Sequence, residues 1–178
     1  MLFNSFDFVF FYIIVTILYY VLPFKSRWFL LLAASCYFYM AFVPLYILIL
    51  CFTIVVDYFA GIYIENAAGR KRKILLICSL VANIGILAVF KYYNFINDNI
   101  SILATNLYLT NNIPYLNILL PIGLSFHTFQ AMSYTIEVYR GNQKAEKHFG
   151  IYSLYVMFYP QLVAGPIERP QNILSQMH

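Results

Sequence analysis

The chain has 178 residues, of which 62% are hydrophobic, 20% aromatic and only 10% charged, where an ordinary soluble domain carries about 25% charged residues. This balance excludes a water-soluble globule, a disordered tail and a nucleic-acid module, because disorder needs low hydrophobicity and a phosphate-binding face needs clustered Lys and Arg. A net charge of +4 and a mean hydropathy of +0.74 describe instead an all-α, polytopic helical membrane protein; at roughly 20 residues per span the length holds no more than about six or seven crossings.

Charges are sparse enough to serve as punctuation, and residues 28–56 and 99–136 contain no Asp, Glu, Lys or Arg. The first apolar run, 6–22, is broken only by Asp7, and its first cations, Lys25 and Arg27, follow it. A cleavable signal peptide has the opposite order, so the run reads as a retained span with its N-terminus outside. Residues 28–64 are too long for one comfortable crossing, and Pro44 near the middle divides them into antiparallel spans, 28–42 and 45–64. The cluster Arg70, Lys71, Arg72 and Lys73 precedes an apolar run at 74–90. Residues 91–115, rich in Asn, read as an outside loop with an interfacial helix around 96–108. The next span, 116–139, delivers Arg140, Lys144 and Lys147, and a last short apolar segment, 149–164, runs into Gly165 and Pro166. Odd numbers of spans precede each basic segment, so all three fall on one side, as the positive-inside rule requires. The expected fold is five or six transmembrane helices in an incomplete bundle.

Cys36, Cys51 and Cys78 sit singly in apolar spans and read as buried, inert thiols. There is no Walker motif, no G-x-G-x-x-G, no H-E-x-x-H and no internal repeat, so neither a metal nor a nucleotide site has sequence support.

An ionisable residue inside a span is a functional candidate by default. Asp57, in the third span, serves either a polar cavity or a hydrogen bond to a neighbouring helix. In the span from 116, a rotation of 100° per residue gathers His127, Gln130, Tyr134 and Glu137 within roughly 80° of arc. Lipid offers such a face no partners, so it turns into the bundle or a hydrated cavity. It is either the wall of a substrate tunnel or interhelical glue. Glu137 has Arg140 at i+3 as an ion-pair partner. His127 is a weak catalytic candidate, since nothing in the sequence supplies it with a nucleophile or second base. Further on, in FYPQLVAGPIERP, Pro160, Pro166 and Pro170 interrupt any regular helix. Broken backbone at membrane depth lines cavities, and Gln161, Glu168 and Arg169 would add polar groups there; the alternative is a helix ending at the surface followed by a Pro-rich loop.

LPIGLSFHTFQAMSYTIEVYRG and FYPQLVAGPIERP, in that order, with the N-terminal MLFNSFDFVFFYIIVTILYYVLP and the DYFAG element at Asp57, resemble the membrane-bound O-acyltransferases, in particular the branch with the alginate O-acetyltransferase membrane subunit. The resemblance covers essentially the whole chain. It implies a bacterial inner-membrane enzyme that moves an acetyl or other acyl group from a cytoplasmic donor such as acetyl-CoA to a hydroxyl of a cell-surface polysaccharide. No cofactor stays bound, and an extracytoplasmic partner often completes the transfer. It also implies a chain well over twice this length, with the essential histidine, suited to general-base work by its pKa, in the later half. Neither His127, His148 nor His178 matches that position. Residues 1–178 are therefore expected to be the N-terminal part of a single acyltransferase membrane domain, inactive alone. A transporter or channel subunit and a non-catalytic membrane scaffold are the alternatives from other classes.

Overall fold

The computed structural model describes residues 5–41, 44, 46–106, 111, 113–115, 123–161 and 168–177. Among them all regular structure is helical: α1 (Phe6–Val21), α2 (Phe24–Met40), α3 (Tyr46–Asn66), α4 (Gly69–Asn106), α5 (Leu124–Arg140), α6 (Phe149–Met157), a 3₁₀ turn at Tyr159–Gln161, and α7 (Pro170–Met177).

Local chemistry sets the boundaries. Ser5 caps α1 by accepting from the Phe8 amide at 3.2 Å, and the helix ends because Pro23 drives Leu22 into extended backbone. Gly69, with φ +57°, opens α4. At the far end of α5, Gly141 takes φ +81°, and Asn142 and Gly141 donate to the Glu137 and Val138 carbonyls, both at 3.1 Å. That is a Schellman closure, which needs a residue free of Cβ strain.

α3 packs on α4 and α5, α4 on α5, α2 on α1 and α6, and α7 on α6 and α5. α6 lies at the centre, with Ile151 to Met157 all buried. Burial inverts the pattern of a soluble globule. Asp57, Ser79, Asn83, Gln130 and Thr135 are inside, whereas Phe10, Ile17, Phe52, Val81 and Ile84 point outward. α3 and α4 are long and apolar enough to cross a bilayer.

Two expectations are corrected. Residues 91–106 continue α4 without a break: no proline occurs between Gly69 and Pro114, and Asn99, Ser101 and Thr105 return their side-chain protons to carbonyls four residues back, at 2.7 to 2.9 Å. Their polarity is thus absorbed by the helix itself. Residues 107–110, the end of the expected interfacial helix, fall outside the described residues. The thiols are not buried, since Cys51 and Cys78 are exposed on outward faces and Cys36 is half-buried. In the short apolar segment 149–164, the α-helix occupies 149–157, and 162–164 lie outside the described residues. α6 has nine residues, roughly 14 Å at 1.5 Å per residue, less than half of a hydrocarbon core of about 30 Å.

Candidate functional site

The basic segments meet at one end of the bundle. Arg72 Nη2, in the first turn of α4, donates to the Val138 carbonyl near the end of α5 at 2.9 Å. Gln171 Nε2 of α7 donates to Glu137 Oε2 at 2.7 Å. Trp28, early in α2, meets His148 edge to face at 4.8 Å. The start of α6 and the start of α7 therefore both lie at this basic end.

The end of α6 follows from Pro160. Its missing N–H would have served the Val156 carbonyl, and its ring crowds that carbonyl. α6 stops at Met157, leaving carbonyls without helical partners. His127 Nδ1 supplies a substitute donor to Val156 O at 2.7 Å, and Gln130 Nε2 does the same for Tyr155 O at 2.6 Å. Ser35 Oγ accepts from the Tyr159 amide at 3.2 Å, and the Tyr134 hydroxyl accepts from the Glu146 amide ahead of α6 at 2.8 Å. Three residues of the polar face expected on α5 are thus turned inward: His127 and Gln130 bond the backbone of the broken segment, and Tyr134 bonds the backbone just ahead of it.

Because a carbonyl only accepts, His127 Nδ1 holds the proton in this bond. Nε2 has no partner among the described residues; the ring sits 5.8 Å from that of Tyr39. Tyr134 occupies its place because position 61 is glycine. A Cβ there would stand 2.7 Å from Tyr134 Cε1 and 2.8 Å from its hydroxyl.

The remaining candidates divide. Gln161 joins the group, its Oε1 accepting from Gln130 at 3.2 Å. Glu137 stands at the basic end, accepting from Arg140 at 3.3 Å, Asn142 at 3.0 Å and Gln171. Arg169 lines a side groove of about 450 Å³ with Glu137 and Arg140. Glu168 lines a larger cleft, about 990 Å³, which Gln161 and His148 also border. His178 lies outside the described residues, as do 162–167. Asp57 is in neither cavity lining; it accepts from Ser79 at 2.5 Å and from Asn83 at 2.8 Å on each oxygen, a buried tie between α3 and α4.

Ser35, Ser79 and Asn83 were not singled out from sequence. Ser79 and Asn83, four apart in an otherwise apolar run, carried a signal, since that spacing puts two polar groups on one face. At the opposite end of α4, Asn111 ties to Asn97 and Ser101 at 2.7 and 2.8 Å. Tyr115 there donates to Asp98 at 2.8 Å, and that acceptor holds the phenol above its ordinary pKa.

Fold and site together define an all-helical chain with membrane-capable helices packed around a buried, proline-broken segment. The whole chain aligns at 34% identity with the probable alginate O-acetylase AlgI of Pseudomonas aeruginosa, covering 35% of that protein. It aligns at 32% identity with the AlgI of Azotobacter vinelandii, covering 36%. Over 86% of its length it is 29% identical to the peptidoglycan O-acetyltransferase of Helicobacter pylori, covering 32% of that protein. No family model and no solved structure matches. The chain is similar along its whole length to these alginate O-acetylases and spans about a third of the length of the curated relatives it matches.

Proposed function

We propose that the chain is the N-terminal part of a bacterial inner-membrane O-acyltransferase that passes an acyl group, acetyl in the first instance, from a cytoplasmic donor such as acetyl-CoA to a hydroxyl of a cell-surface polysaccharide. The single observation that carries this is the similarity along the entire chain to proteins named for O-acetylation. In this reading α1 to α5 cross the membrane with the N-terminus outside, and the nine-residue α6 enters from the cytoplasmic side without crossing. An extracytoplasmic partner receives or finishes the transfer.

The residues of this chain form scaffold and tunnel wall. Gln161 and Glu168 are on the lining of the larger cleft at the basic end, where a donor would enter, and Gln130 stands behind Gln161. His127 is committed to a carbonyl and, among the described residues, has no nucleophile beside it. These 178 residues alone are therefore expected not to transfer acyl groups.

The test is direct: membranes holding this chain are given radiolabelled acetyl-CoA with alginate or peptidoglycan fragments. The expected result is no labelled acceptor, and labelling would overturn the assignment of scaffold alone. Reading the coding DNA past codon 178 discriminates further: additional apolar spans with a buried His support the enzyme, whereas unrelated sequence with stable accumulation of the short protein supports a scaffold.

A further inference from the structure

Asp57 stands apart from both cavities, in the middle of α3, with no exposed surface. Both groups that bond it, Ser79 and Asn83 of α4, are neutral donors, and it forms no ion pair among the described residues. A carboxylate taken out of water loses several kcal/mol of solvation even after the protein relaxes. Hydrogen bonds from two neutral groups offset part of that loss but supply no counter-charge.

The surroundings of Asp57 are short of protons and rich in oxygen. The Ser79 hydroxyl has one proton, which at 2.5 Å goes to Asp57 Oδ1. The Asn83 amide spends its protons on the carboxylate and on the Ser79 carbonyl, at 2.8 and 3.0 Å. Thr135 of α5, whose Oγ1 stands 3.5 Å from Ser79 Oγ, returns its own proton to the Met132 carbonyl at 3.1 Å. What these side chains have left is oxygen lone pairs. Asn83 Oδ1, on a side chain only 1% exposed, has no partner among the described residues. The Tyr152 hydroxyl of α6, buried and likewise without a partner there, lies within electrostatic reach of the same carboxylate. An excess of acceptors around an uncompensated negative charge is complementary to a cation.

The ligands select the kind of cation. Carboxylate, amide and hydroxyl oxygens are hard donors, unsuited to zinc or copper. One carboxylate balances one positive charge, whereas a divalent ion would leave a net charge buried. We infer that Asp57, Ser79, Asn83 and Thr135 bind a monovalent alkali cation that joins α3, α4 and α5 through their oxygens. None of the four lines either cavity, so this site stands or falls independently of the acyl-transfer reading.

Sodium is the probe. The full chain in dodecyl maltoside micelles is melted in sodium chloride and in choline chloride at equal ionic strength. Choline carries the same charge but is too large to enter a closed cluster, so general screening cancels. The expected midpoint at roughly 0.3 M salt is at least about 5 °C higher in sodium, because a ligand of the folded state stabilises it by mass action. Asp57→Asn keeps the shape of the side chain and should melt alike in both salts. Thr135→Val removes one oxygen and should need several-fold more sodium for half the rise; it decides the matter if Asp57→Asn does not fold. Asp98→Asn, at the far end of α4, should keep the whole rise. Equal midpoints of the native chain in the two salts overturn the site. So does a full rise in Asp57→Asn or, where that variant does not fold, in Thr135→Val. Acidification in choline that raises the midpoint while sodium does not assigns the carboxyl to a proton and overturns the cation.

Discussion

Gln130 shows how a single side chain holds a broken helix together. Its amide donates to the Tyr155 carbonyl, which is buried and close to the point where Pro160 ends the helical ladder. Gln130→Leu keeps the volume and removes the donor, so the carbonyl remains desolvated without a partner, at a cost of about 1–3 kcal/mol. A lower thermal midpoint of the chain in detergent is the expected readout, and an unchanged midpoint would detach Gln130 from the support of α6. Gly61→Ala tests the opposite error. Its new methyl collides with the Tyr134 ring, and overpacking of this kind costs about 1–3 kcal/mol, which the same melting experiment measures. In a longer polypeptide that does transfer acyl groups, Gln130→Leu and Glu137→Leu separate tunnel wall from structural support. Reduced turnover at equal folded yield is the expected outcome, and full turnover would remove both from the site.

At the scale of elements, the decisive piece is the segment 149–170. A nine-residue α6 that starts, like α7, at the basic end makes a labelling prediction that six full crossings would not. In a background lacking Cys36, Cys51 and Cys78, Lys144→Cys and Asn172→Cys are expected to react with a membrane-impermeant maleimide from the same face of inverted vesicles. Ile113→Cys, beyond the far end of α4, is expected to react from the other face. Opposite faces for positions 144 and 172 would mean that the segment crosses. α4 itself, with 38 residues, is roughly 57 Å long and exceeds a hydrocarbon core of about 30 Å. Its far part, from Lys91 onward, therefore stands clear of the core or tilts strongly, and the ties from Asn97, Ser101 and Asp98 to Ile113, Asn111 and Tyr115 fasten it there.

For the molecule as a whole, the inverted distribution of polarity predicts where it partitions. With large apolar side chains such as Phe6, Tyr20, Val21 and Val81 two-thirds or more of the way out of the bundle or nearly so, the chain is expected to stay in the membrane pellet through an alkaline carbonate wash. Recovery as a monomer in the aqueous fraction would overturn the membrane reading.

Some helix ends were legible in the residue string because they depend on local matters, as with the apolar run 6–22 and the break at Pro44; α4, read as a span at 74–90, runs from Gly69 to Asn106. The string also determined that the basic segments share a side, since that follows from counting apolar runs. It placed His127, Gln130 and Tyr134 on one face through the helical repeat. What it left open was what that face touches. That α5 serves the carbonyls freed by Pro160, that Asp57 meets Ser79 and Asn83, and that Lys25 and Arg27 border a cleft opposite α7 are contacts between residues 20 to 150 positions apart in order of magnitude. Periodicity fixes the direction a side chain takes from its own helix axis; only the packing of helices against one another decides which group it meets there.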